Sequence, residues 1–266
     1  MRIPFVKLHG AKNDFLLTMV EDVPDGGFPE LAEAICDRYT GVGGDGWMLV
    51  DSSSGPGYDA SIRLFNSDGS EPELSGNGTR CAAALLARLR PHAKDFHIRT
   101  GAGVKHLHLI SHQNYEYQFE MNMGEARIVE LHATVQGHDA VIVDVGNPQC
   151  ALPVADFNLD WRGLGAAVER DPRFPNRTNV SFVRRVDEHT IDVRFWERGA
   201  GETNSSGTGS TGAAAAAVAR GMASSPVTVR TPAGPLLLRF ENGIRLTGPA
   251  EFVAEGTYLY GKMATE

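Results

Sequence analysis

A chain of 266 residues, 42% hydrophobic and 22% charged, has the balance of a globular protein and the length for two domains of ordinary size. Its net charge of −8, without a dense Lys/Arg run, argues against a nucleic-acid partner, and no apolar stretch approaches the roughly 20 residues of a membrane span. Three widely spaced cysteines and an N-terminus without a sustained apolar run fit a reducing cytoplasm rather than secretion.

In chain order, Ile3 to Leu8 and Phe15 to Val20 read as strands around a turn from His9 to Asp14. Pro29 to Tyr39 reads as a helix with proline at its first position. Gly41 to Gly46 has the glycine density of a phosphate loop but lacks the Gly-Lys-Ser/Thr ending, which excludes that motif. Strands follow at 47–51 and 58–65. A polar loop then leads to a tight turn, Ser75-Gly76-Asn77-Gly78, and to an alanine-rich helix with Leu85, Leu86 and Leu89 to bury. Strands near 95–100, 103–111 and 115–121 come next. His106 and His108 share one face there, but no Asp, Glu or Cys joins their spacing, so a solvated face and no metal site is the reading.

The pattern restarts at Met123-Gly124-Glu125. Strands near 127–135 and 139–145 precede a turn, Gly146-Asn147-Pro148-Gln149, and a strand from Cys150 to Val154. Asp160 caps a helix over 161–169, strands follow at 178–185 and 190–196, and a second glycine turn opens a helix that stops at Gly221. The architecture expected is α+β. Two pseudo-symmetric domains, 1–122 plus 254–266 and 123–253, each wrap a curved mixed sheet around a central helix.

The two turns are copies. Aligning Ser75 with Ser206 matches Gly76 with Gly207, Gly78 with Gly209, and Ala82–Ala84 with Ala213–Ala215; Glu71 and Glu202 each stand four residues before their serine. One such turn alone is an ordinary capped helix, since serine is a common N-cap. As a pair they predict one site, entered by a helix N-terminus from each side. Each terminus offers unpaired N–H groups and about half a unit of positive charge. A carboxylate held there is stabilised as it gains charge, which lowers the barrier to removing the proton α to it.

Several motifs, taken together and in order, carry a resemblance. They are His9-Gly10-Ala11-Lys12-Asn13-Asp14-Phe15, Asn66-Ser67-Asp68-Gly69-Ser70-Glu71, Gly76-Asn77-Gly78-Thr79-Arg80-Cys81, Gly146-Asn147-Pro148, Thr178-Asn179-Val180, Glu197-Arg198-Gly199-Ala200-Gly201-Glu202-Thr203 and Gly207-Thr208-Gly209. With them the chain resembles diaminopimelate epimerase along its whole length, a family of amino-acid epimerases that use no cofactor. The resemblance implies interconversion of LL- and meso-diaminopimelate, a step toward lysine and cell-wall precursors, with a small amino acid as the partner and a homodimer as an open possibility. It implies that Asn13, Asn66, Asn147, Asn179 and Arg198 hold the substrate, chiefly its distal end. Backbone N–H groups of Gly76, Asn77, Gly207 and Thr208 would cradle the reacting carboxylate, with Glu197 near the reacting carbon. None of the five lysines lies in the paired turns, which speaks against a pyridoxal enzyme.

The departures from the family sit at the chemistry. Ser75 and Ser206 stand where the family has its catalytic cysteines, Gln149 where it usually has histidine, and Gly46 where it has glutamine. A serine hydroxyl is far less acidic than a thiol and needs an adjacent base. Four readings follow: a Cys-to-Ser variant, a natural paralogue with low turnover or another substrate, an isomerase of the phenazine type with Glu197, Asp45 or Asp68 as base, or an amino-acid binding protein.

Overall fold

The computed structural model describes residues 1–261. They divide into two compact units, one comprising Met1–Glu120 and the chain from Pro249 onward, the other Met121–Gly248.

In the first unit β1 (Arg2–Gly10) and β2 (Asn13–Met19) form an antiparallel hairpin. Its turn is only Ala11 and Lys12, both left-handed at φ 51° and 59°, not the six residues from His9 to Asp14. Positive φ at both central positions matches the twist of the flanking strands, and Asn13 is thereby fixed on a strand. Helix α1 (Phe28–Cys36) ends earlier than the sequence pattern suggested, leaving Tyr39 exposed. The glycine-dense segment is what ends it: N–H groups of Val42 and Gly43 donate to the Ile35 carbonyl, and that of Gly44 to Cys36. Strand β3 (Gly46–Asp51) lies parallel to β2 and antiparallel to β4 (Ala60–Asn66). After α2 (Gly76–Leu89) come β5 (Asp95–Thr100), parallel to β4, then β6 (Gly103–Gln113) and β7 (Glu116–Gly124). The stretch after Pro249 lies between β7 and β1, in register from His9↔Glu251 to Arg2↔Leu259, and closes the sheet into a barrel. Helix α2 is buried from Asn77 to Ala87. Small side chains at 82–84 let strands surround it, while Leu89, expected in the core, is exposed at its end.

The second unit repeats this order. Strands β8 (Arg127–Val135), β9 (His138–Asp144) and β10 (Pro148–Pro153) lead to α3 (Trp161–Glu169). Then come β11 (Asn179–Arg185), β12 (Thr190–Glu197), the short β13 (Gly201–Thr203) folded back on β12, and α4 (Gly207–Ala219). Strands β14 (Val227–Thr231), β15 (Gly234–Phe240) and β16 (Ile244–Leu259) finish it. The parallel pair β10–β11 brackets α3 as β2–β3 brackets α1, and the parallel pair β12–β14 brackets α4 as β4–β5 brackets α2. Strand β16 runs unbroken, so its second half is the closing strand of the first unit.

On β6, His106 and His108 do meet a carboxylate, contrary to the spacing argument. Asp95 lies across from them on β5, its Oδ1 at 2.9 Å from His106 Nε2 and 2.8 Å from His108 Nδ1. Cross-strand register supplies the partner that linear spacing hides. No group of three metal-ligating side chains is arranged to hold an ion, and no helix is long and apolar enough to cross a membrane, among the described residues.

Candidate active site

Ser75 has extended backbone (φ −128°) and caps α2. Its Oγ accepts from the Gly78 N–H at 3.1 Å, and the Thr79 N–H donates to its carbonyl at 2.8 Å. The N–H groups of Gly76 and Asn77 open the helix, where no intrahelical acceptor exists. Asn77 is 2% exposed and its side chain is committed internally. Its Nδ2 donates to Asn13 Oδ1 at 3.2 Å, and its Oδ1 accepts from Arg80 Nη2 at 2.5 Å. Asn13 in turn donates to Asp45 Oδ2 at 2.7 Å. Asn66 donates to Ser70 Oγ at 2.9 Å, within the loop before the turn. Beside Ser75 opens a cavity of about 430 Å³ lined by Arg63, Glu71, Glu73, Arg99 and Thr100 among others.

Of the three carboxylates weighed as bases, two are occupied elsewhere. Asp45 pairs with Arg38 at 2.8 Å and accepts from the Asp14 N–H, while Asp68 accepts from Ser70. In the same network, burial alone would raise the Asp14 carboxyl, but Arg38 and Lys7 outweigh it and bring it down to about 2.

The second turn is wired differently. Ser206 caps α4 with φ −140°, accepting from the Gly209 N–H at 3.0 Å. Its hydroxyl also donates a short hydrogen bond to Glu197 Oε1. Glu197 ends β12, where β13 folds back over it. Part of the residue remains reachable, yet its carboxyl group is enclosed. Burial therefore raises its pKa above the ordinary glutamate range, with the hydroxyls of Ser206 and Thr203 pulling the other way. A carboxyl raised in this manner, bonded to the hydroxyl at a helix N-terminus, is placed to exchange a proton with a bound molecule.

The same unit draws three more predicted residues together. Asn147 Oδ1 accepts from Gln149 Nε2 at 2.7 Å, Asn179 Nδ2 donates to the Pro148 carbonyl at 3.1 Å, and the Arg198 N–H donates to Asn179 Oδ1 at 3.1 Å. The Arg198 guanidinium reaches the Asn176 carbonyl at 3.2 Å and is otherwise exposed. Gly207 is buried and Thr208 half-buried at the first turn of α4. One contributor escaped the sequence reading. Glu169, 3% exposed, accepts from Trp196 Nε1 and the Gly199 N–H, each at 2.9 Å, and pairs with Arg177. It pins the loop that follows Glu197 and Arg198. A glutamate at the end of a helix gives no signal for this in sequence.

The repeated glutamates each tie down an arginine. Glu71 holds Arg63 through both oxygens at 2.9 Å, and Glu202 holds Arg162 at 2.6 and 2.8 Å. The cysteines offer no substitute for the missing thiols: Cys36, Cys81 and Cys150 are buried, and burial pushes each thiol up to about 12.

Residues 5–129 and 141–253, which contain both serine turns, match the family model of diaminopimelate epimerase. The chain belongs to the diaminopimelate epimerase family. It is 37% identical to the diaminopimelate epimerase of Pelotomaculum thermopropionicum, over 96% of this chain and 99% of that one. Solved structures share the family fold at low identity. A PhzF-family phenazine biosynthesis protein of Bacillus anthracis covers 98% of this chain, and all of its own, at TM-score 0.72 and 15% identity. A hydroxyproline epimerase of Agrobacterium vitis, with bound trans-4-hydroxy-L-proline, covers 96% of this chain and 92% of its own at TM-score 0.68 and 14% identity. Membership of the diaminopimelate epimerase family places this chain among epimerases and isomerases.

Proposed function

We propose that the chain interconverts LL- and meso-diaminopimelate, or a closely related amino acid, by removing and returning the α-proton without a cofactor. The observation that carries this reading is the Ser206–Glu197 pair at the N-terminus of α4. The α-proton of an amino acid is a weak acid, and its removal needs both a base and a place for the charge that develops on the carboxylate. Glu197 supplies the base. The N–H groups of Gly207 and Thr208 receive the carboxylate. Asn147, Asn179 and Arg198, joined by hydrogen bonds in the second unit, hold the distal amino-acid end. A cytoplasmic enzyme of lysine and cell-wall precursor synthesis is the setting this implies.

Incubation with LL- or meso-diaminopimelate in heavy water tests the reading. Loss of the α-proton signal by NMR is the expected result, and a protein that leaves both stereoisomers unlabelled is not such an enzyme. A second reading, substrate binding with little turnover, is favoured by Ser75, whose hydroxyl is bonded to no acid or base among the described residues.

A further inference from the structure

Within the second unit, the turn that joins β12 to β13 carries both Glu197 and Arg198 and is held from two sides. The Ala200 N–H closes it by donating to the Glu197 carbonyl at 3.1 Å, with Gly199 left-handed at φ 78° in the third position. Side chains of other elements take the two N–H groups between. That of Arg198 goes to Asn179 Oδ1 on β11 at 3.1 Å, and that of Gly199 to Glu169 Oε1 at the end of α3 at 2.9 Å. The other oxygen of Glu169 accepts from Trp196 Nε1 at 2.9 Å, one residue before Glu197. Trp196 packs directly on the same helix, since a Cβ at Gly165 would lie 2.8 Å from its Cβ. Arg177 Nη1 approaches Oε1 at 3.3 Å. Burial would raise the Glu169 carboxyl, but these partners outweigh it and hold it below the ordinary glutamate value. Each of the three is a donor. A glutamine of the same shape carries an NH2 in place of one oxygen, and whichever way it turns, that NH2 meets either the Trp196 indole or the Gly199 and Arg177 donors. The position therefore calls for a carboxylate, not merely for a polar side chain of that length.

We infer that Glu169 is a positioning residue of the proposed reaction: its carboxylate holds the turn after β12, and through the turn it sets where the Glu197 carboxyl and the Arg198 guanidinium stand. The inference rests on the proposed α-proton chemistry, in which Glu197 is the base and Arg198 holds the distal end, and adds a residue that acts through the backbone that carries them. The Arg198 guanidinium has one other anchor, the Asn176 carbonyl, and is otherwise exposed, so its place follows the turn. A base must also stand at hydrogen-bond reach of the proton it takes, and a misplacement of about 1 Å costs about 10²-fold in rate.

The test is Glu169→Gln, read by calorimetric binding of diaminopimelate, by α-proton exchange in heavy water at saturating substrate, and by amide hydrogen exchange of the protein. The expected result is a rise in Kd and a fall in exchange rate of about tenfold or more each. Gly199 should lose amide protection while the amides of α4 keep theirs. A merely structural role would reduce the amount of active protein and leave Kd where it was. Trp196→Phe supplies the second variant, since it removes the indole donor and leaves the glutamine NH2 a place to point. In that background Glu169→Gln should change Kd about twofold or less. Parental Kd in Glu169→Gln overturns the inference, whether Gly199 is freed or not, and so does an equal effect of the substitution with and without the indole. A parent protein that neither binds diaminopimelate nor exchanges its α-proton overturns the proposed function, and the inference with it.

Discussion

Two serines at matching places in a repeat have different surroundings, and the difference is one carboxylate. Glu197 is raised first by burial, so the folded protein favours its neutral form. The sign follows: the contribution of this group to stability is fully present below the unfolded value of 4.5 and is lost as pH rises through the higher folded value. Glu197→Gln removes that dependence while keeping an acceptor for Ser206. Denaturant midpoints of parent and variant should agree in acidic buffer and separate in mildly alkaline buffer, with the glutamine protein the more stable. A parallel pH dependence in both proteins would mean that Glu197 titrates as an ordinary surface group. Sequence alone placed Glu197 near the chemistry only through the family resemblance. Its bond to Ser206 depends on the β12–β13 hairpin, which brings together residues nine apart, and no local pattern announces that.

Helices α2 and α4 were the most legible elements, because serine, two glycines and a run of alanine specify both the cap and a helix buried against the sheet. Close approach is where α4 has least tolerance. A Cβ at Gly212 would meet Gln149 Cγ at 2.8 Å and Cβ at 2.9 Å, and Gln149 is 1% exposed on β10. Gly212→Ala should therefore cost about 1–3 kcal/mol by overpacking. It should also disturb the Gln149–Asn147 bond, so weaker diaminopimelate binding is expected beside the lower melting temperature. A variant as stable as the parent would show that the strand yields easily. Less legible were the ends of elements. The Ala11-Lys12 turn has no glycine to mark its left-handed residues, and the stop of α1 depends on carbonyls satisfied by a glycine segment that in sequence resembled a ligand loop.

At the scale of the molecule, the repeat foretold two halves of like topology. It did not show that β16 closes the barrel of the first unit, since edge pairing between residues 2–9 and 251–259 has no local signature. A chain ending at Gly248 would leave β1 and β7 without that neighbour. It should lose cooperative unfolding and amide protection in β1, while α4 and its surrounding strands keep theirs; full protection of β1 in the shortened protein would contradict the closure. The same closure supplies the Pro249 carbonyl to the buried Arg80 at 3.0 Å, on the helix that carries the first turn. The central claim, that the family fold here moves an α-proton through a carboxylate, is tested most directly by one rate: deuterium incorporation at Cα of diaminopimelate by the parent protein and by Glu197→Gln. The account predicts a fall of about 10²–10⁴ in the variant with binding retained. Equal rates in the two proteins would contradict it.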